Sequence, residues 1–101
     1  DWALQEMLLQ LEPFGEANPA PLFLSRHLRV VDARPVGKEN RHLKLRLGDE
    51  QGKQVDAIAF QRGPQQKTLH RFVDVVYQLE VNKWNGRRSL QLNVVDLRNS
   101  A

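Results

Sequence analysis

The residues of this chain best suited to chemistry are its cations. Arg26, Arg29, Arg34, Lys38, Arg41, Lys44 and Arg46 crowd one stretch against only Asp32 and Glu39, and Lys83, Arg87 and Arg88 form a second cluster around Trp84-Asn85-Gly86. Lysine and arginine neutralise phosphates and release their counterions, and an aromatic face beside them offers any nucleobase a stacking surface. The pattern suits a surface that holds a single strand of nucleic acid; the plainer alternative is a solvated charged face. Charge is unevenly divided along the chain, because residues 1–24 carry Asp1, Glu6, Glu12 and Glu16 with no lysine or arginine, although the net value is only +3.

Nothing in the sequence assembles a catalytic site. Hydrolysis or phosphoryl transfer needs clustered carboxylates, a glycine-rich phosphate loop or a nucleophile beside a base, and none of these is present. His27, His42 and His70 fall on three separate predicted elements without ligand spacing, and Asp56 and Asp74 are single strand carboxylates that ion pairs would explain. No catalytic residue, metal ligand or cofactor site is therefore assigned. The absence of cysteine excludes a disulfide scaffold and fits a reducing compartment, so a cytoplasmic location is expected. No apolar run approaches the ~20 residues of a membrane span, and no membrane partner is expected.

The elements that must position these residues follow from hydrophobic periodicity. Leu4, Met7, Leu8 and Leu11 keep the spacing of one helical face and predict an N-terminal helix, opened by Asp1 and closed by Pro13 and Gly15. Residues 13–21 form a Pro-rich connector with Phe14 as its anchor. The chain thus begins inside a helical pattern, as a piece of a longer protein would, and residues 1–21 are assigned to a preceding domain. From Leu22 the period changes to two. A first strand begins at Leu22 or His27 and runs to Val36, and after a loop at 37–41 the run His42-Leu43-Lys44-Leu45-Arg46-Leu47 alternates basic and apolar residues without a fault. A hairpin loop at 48–52 leads to a third strand, Lys53 to Phe60; a short helix is expected over Gln65 to Phe72. Two further strands, Val73 to Asn82 and Ser89 to Leu97, are joined across Asn85-Gly86, a pair that tolerates positive φ at both turn positions.

Five strands with one helix between the third and fourth form the element order of the oligonucleotide-binding (OB) barrel. The predicted fold is all-β with minor helices: a five-stranded OB barrel over residues 22–101, preceded by the helix and connector. Its length of 101 residues suits a single core. Leu43, Leu45 and Leu47, with Val73, Val75, Tyr77, Leu79 and Val81 and then Leu90, Leu92 and Val94, are assigned to that core. In such a barrel a ligand crosses the second and third strands between the loops that join strands one to two and four to five. The nucleic-acid-binding residues are then Lys38, Arg41, His42, Lys44 and Arg46 on one side and Lys83, Trp84, Arg87 and Arg88 on the other, with the two basic turns meeting beside one concave wall. Trp84 either offers its face to a base or folds back as a lid on the barrel end. Phe60 joins the site if Arg46 opposes Asp56, which sets it across from His42 on the outer face; a slip of one residue would send it into the core.

Several runs resemble the OB domain of the RecJ family of bacterial single-strand-specific exonucleases. They are Leu11-Glu12-Pro13-Phe14-Gly15-Glu16 with Asn18-Pro19 and Pro21, then Val36-Gly37-Lys38, His42-Leu43-Lys44-Leu45, Asp56-Ala57-Ile58-Ala59-Phe60 and Trp84-Asn85-Gly86, in the family's order and over nearly the whole chain. Lys38, His42, Lys44 and the Trp84 turn match most closely, whereas Ala17 stands where the connector usually has a second glycine. The resemblance implies a non-catalytic module that holds single-stranded DNA for a 5′-to-3′ exonuclease of recombination and repair. It also implies a DHH phosphoesterase core with manganese or magnesium, absent from this fragment, as the partner in the full-length chain. A different class of function is docking, in which the acidic, apolar N-terminal helix binds the catalytic core or a single-strand-binding protein.

Overall fold

The computed structural model describes the backbone of residues 5–8 and residues 21–101, the latter without the side chains of Asn82 and Trp84. Its strands are β1 (Gln5–Leu8), β2 (Leu22–Val36), β3 (His42–Gly48), β4 (Gln54–Ala59), β5 (Phe72–Trp84) and β6 (Arg87–Asn99). β2 pairs with β3, β3 with β4, β4 with β6, β6 with β5 and β5 again with β2, which closes a five-stranded barrel; β4 and β6 run parallel and the other pairs antiparallel. This is the OB architecture.

The alternation in β3 produces the core directly. Leu43, Leu45 and Leu47 are buried while Lys44 is half-buried and Arg46 exposed. Across the ladder Leu43 opposes Ala59 and Leu45 opposes Ala57, so large residues on one strand meet small ones on the next, as a narrow barrel interior requires. Each fully buried leucine stabilises the fold by about 1.5–3 kcal/mol relative to exposure. Tyr77 is buried among them, and its hydroxyl is satisfied by Ser25 Oγ at 2.8 Å.

Closure depends on a bend in β2. Residues up to Arg29 pair with β5 and residues from Arg29 onward with β3, with ladder irregularities between Ser25 and Leu28 and between Val30 and Asp32. At the first, His27 adopts φ 57°, a conformation that a non-glycine residue holds only when its surroundings enforce it. Here the His27 N–H donates to Asp74 Oδ1 at 2.9 Å and the imidazole stacks on Phe72 with centroids 4.1 Å apart. Asp74 is itself buried and accepts further hydrogen bonds from Ser100 Oγ at 2.7 Å and Arg98 Nε at 3.2 Å. Burial works to raise its pKa, but the bonds from Ser100, the His27 N–H and Arg98 together outweigh burial and hold it below the usual carboxylate value.

Three expectations are corrected. Residues 5–8, inside the predicted N-terminal helix, form a strand that pairs Gln5 with Ser25 and Leu8 with Leu22. The reason lies in β2: β3 reaches only Arg29, so one edge of residues 22–25 has backbone groups to satisfy, and pairing there overrides a helical period that four residues cannot enforce. The rest of the predicted helix and the connector with Phe14 and Ala17 lie outside the described residues. The helix expected over Gln65 to Phe72 is a 3-10 segment at Gly63–Thr68; Phe72 already belongs to β5, opposite Arg29. Leu79, Val81 and Leu90, expected in the core, are exposed, because β5 and β6 extend past the strands that flank them.

Asp74→Asn should destabilise the chain by about 1–3 kcal/mol through loss of the ionised acceptor. Because the folded-state pKa is lowered, this contribution is present above the ordinary value of 3.8 and is lost as pH falls through the lower folded value. The gap between wild type and variant in denaturant midpoint should therefore close in strong acid; a gap that stays constant would count against this role.

Candidate nucleic-acid interface

The outer face of β2, β3 and β4 is ordered in rows that cross the strands. Val36 opposes His42, and one step beyond the Leu43–Ala59 pair His42 meets Phe60. The next row is Arg34, Lys44 and Ile58, and the third is Asp32, Arg46 and Asp56. The Arg46–Asp56 pairing is the register that turns Phe60 outward: it is 53% exposed, and its ring meets the His42 imidazole edge to face at 5.1 Å.

Local backbone geometry fixes this aromatic pair. β4 ends at Ala59, and Gln61 turns the chain at φ 67° so that its N–H donates to His42 Nδ1 at 3.0 Å. That bond fixes the orientation of the His42 ring beside Phe60.

The cations divide into engaged and free. Arg46 donates to Asp56 Oδ1 and to Gln54 Oε1, Arg34 lies 3.4 Å from Asp32, and Arg41 lies 3.6 Å from Glu39. Among the described residues Lys38, Lys44, Lys83, Arg87 and Arg88 form no ion pair. A phosphate can approach Lys44 or Lys38 without competing against a carboxylate already bound, whereas at Arg46 it must displace one. Arg34 and Arg41 are engaged by carboxylates two residues away in sequence, whereas the partner of Arg46 is set by the cross-strand register.

The Lys38 turn is clamped. Gly37 adopts φ 84°, and the Asn40 and Arg41 N–H groups donate back to the carbonyls of Gly37 and Lys38. From the other side the Gly63 N–H donates to Arg41 O at 2.8 Å, and a Cβ at Gly63 would lie 1.9 Å from Asn40 O. Glycine is required there because the obstructing atoms are backbone. The close approach seats the turn on the 3-10 segment.

The second basic cluster lies elsewhere. Trp84 pairs with Arg87 and Lys83 with Arg88 across Asn85-Gly86, both with positive φ. Parallel pairing sets Asp56 beside Gln91, so Arg87 lies four residues toward one end and Phe60 four toward the other; at about 3.3 Å per residue the two are roughly 26 Å apart along the strands. The expected meeting of the two basic turns is thus corrected: they bracket the β3–β4 face from opposite ends. The described residues bring no three metal-ligating side chains together, and His42 Nδ1 already accepts the Gln61 N–H. The donor set of the described residues does not fit manganese or magnesium.

A profile of the RecJ OB domain matches residues 1–96. The chain belongs to the RecJ OB domain family. It is 41% identical to the single-stranded-DNA-specific exonuclease RecJ of Thermus thermophilus and 31% identical to that of Bacillus subtilis, over 90% and 85% of its length. It spans only 12% and 11% of those relatives. The crystal structure of RecJ in complex with Mn2+ from Thermus thermophilus superposes with a TM-score of 0.62 at 38% identity, covering 90% of this chain and 13% of that one. The RecJ OB assignment agrees with the barrel order read from the ladders.

Gly63→Ala should cost about 1–3 kcal/mol by overpacking and lift the Lys38 turn. Chemical denaturation measures the first effect, and amide shifts at residues 38–41 the second; a variant of unchanged stability with those shifts unmoved would refute the clamp.

Proposed function

We propose that this chain is the strand-holding, non-catalytic domain of a longer RecJ-type exonuclease, and that single-stranded DNA crosses its β3–β4 face. The observation that carries the reading is the preorganised group of Lys44, which has no ion pair among the described residues, exposed Phe60 and the oriented His42 ring beside the clamped Lys38 turn. Phe60 offers a base a face worth ~1–3 kcal/mol by the usual measure of aromatic stacking. Lys38 and Lys44 neutralise adjacent phosphates, and the Arg87–Arg88 end supplies a more distant contact. Arg41 and Arg46 contribute less, since each is already bound to a carboxylate. On this reading hydrolysis belongs to a metal-dependent DHH core elsewhere in the longer chain. Manganese or magnesium acts there, and the whole enzyme works in the cytoplasm in recombination and repair. The domain would add affinity by tethering a strand that the core also grips, so its own binding is weak and salt-sensitive.

Replacing Lys38 and Lys44 together with alanine should lower affinity for a short oligothymidylate and reduce the salt slope by roughly 1.4, since each phosphate contact on a single strand contributes about 0.7. Phe60→Ala should lower affinity by about 1–3 kcal/mol with the slope unchanged. Arg87→Ala with Arg88→Ala should also flatten the slope. An NMR titration whose shifts avoid Lys38, Lys44 and Phe60 altogether would sink the reading and favour docking instead.

A further inference from the structure

The turn that joins β5 to β6 holds the one asparagine of the chain that precedes a glycine. Asn85 and Gly86 are both exposed, at φ 52° and 76°, and a Cβ on Gly86 would meet nothing within 4 Å beyond its chain neighbours. Among the described residues the Asn85 side chain forms no hydrogen bond, and the Gly86 N–H finds no acceptor. Three other asparagines are restrained. Asn93 Nδ2 donates to Glu80, and Asn99 donates to Thr68 O while accepting the His70 N–H. Behind Asn40, the Arg41 N–H donates to Lys38 O at 3.3 Å. Past Tyr77 in β5 and before Gln91 in β6 the two strands pair, among the described residues, with each other alone. A hairpin tip so placed can open locally while the barrel stays closed. Lys83, Arg87 and Arg88 flank the turn, none with an ion pair among the described residues.

We propose that Asn85 is a site of spontaneous deamidation, with the Gly86 backbone nitrogen as its nucleophile. That nitrogen attacks Asn85 Cγ and closes a succinimide ring. The Cγ–Nδ2 bond breaks, and Nδ2 leaves as ammonia with the proton that the Gly86 nitrogen gives up. Water then opens the ring at one carbonyl or the other, leaving an aspartate or an isoaspartate. The attack is intramolecular, which removes the entropic cost of bringing the groups together, and glycine has no side chain to obstruct it. The folded turn must yield first. In a two-residue turn with positive φ at both positions the first residue has ψ of about +30°, which directs the next nitrogen away from the side chain. Opening of the hairpin tip supplies the reactive geometry. The flanking cations stabilise the negative charge that builds as the amide ionises, and then the carboxylate product. The product sets an anion among Lys83, Arg87 and Arg88, and an isoaspartate also lengthens the backbone of a turn whose length fixes the β5–β6 register. The chemistry stands apart from the strand-holding reading; only its consequence, a fading contact at Arg87 and Arg88, rests on it.

The test incubates the 101-residue chain in mildly alkaline buffer beside a synthetic peptide of residues 81–90 and the Asn85→Gly variant, which keeps a residue suited to positive φ. Thermal unfolding checks that both chains are folded. Peptide mass spectrometry locates each amide lost, and labelling by an isoaspartyl methyltransferase reports the rearranged product. The expected result is loss of ammonia from Asn85 before Asn40, Asn93 or Asn99, more slowly than from the peptide. The methyltransferase signal should vanish in Asn85→Gly. An Asn85 that outlasts any of those three asparagines in the folded chain would overturn the inference, as would a signal that persists undiminished in the glycine variant. Asn85→Asp fixes the charge of the product and should lower the salt slope for an oligothymidylate by roughly 0.7, one phosphate contact. An unchanged slope there would overturn the functional consequence. A wild-type chain that binds no oligonucleotide at low salt, yet loses the Asn85 amide first, would remove the strand-holding reading and leave the deamidation standing.

Discussion

The structure depends on one bent strand. A 15-residue β2 serves two neighbours in succession, and the barrel closes only because the strand turns sharply at His27. An ordinary residue held at positive φ is a local cost of order 1 kcal/mol or more. Asp74 offsets it by accepting the His27 N–H, and Arg98 and Ser100 from the end of the chain lock Asp74 in turn. One buried carboxylate thus joins β2, β5 and the close of β6. Without the bend β3 would not reach its register with β2, and the outer rows of the face would not align.

What stands on those rows is rigid by construction. The turn that carries Lys38 leans on Gly63 with no space for a side chain, and His42 is fixed through a backbone donor from Gln61. A surface arranged in advance loses little conformational entropy on binding, so modest contacts can still yield useful affinity. The face also separates two kinds of cation. Those facing a carboxylate across the ladder, such as Arg46 with Asp56, lend order to the sheet, while Lys44 opposes apolar Ile58 and keeps its charge available.

Membership of the RecJ OB domain family assigns the fold and its lineage, but an OB barrel by itself does not dictate a ligand. Support for a strand-holding surface comes from the position of specific side chains. Topology divides that surface in two, since the parallel pairing of β4 with β6 carries the Arg87 turn to the end opposite Lys38. A single strand long enough to touch both ends would cross the whole sheet.

Much was legible without coordinates because it depends on neighbours in sequence. Strict alternation over 42–47 sets the buried and exposed sides of β3, and Asn85-Gly86 tolerates the turn it makes; a pairing of Arg46 with Asp56 was one register the sequence allowed, and the ladder decides for it and so brings Phe60 out beside His42. Other features belong to tertiary structure alone. Residues 5–8 obey a helical spacing yet pair as a strand, because an unfilled edge of β2 needs hydrogen-bonding partners. Leu79, Val81 and Leu90 alternate like core residues yet face solvent, because burial depends on whether another strand lies alongside. Likewise, no local pattern says to which end of a barrel a turn is delivered. Side-chain period is a property of one strand, whereas edges, ends and burial are properties of how strands that are distant in sequence pair.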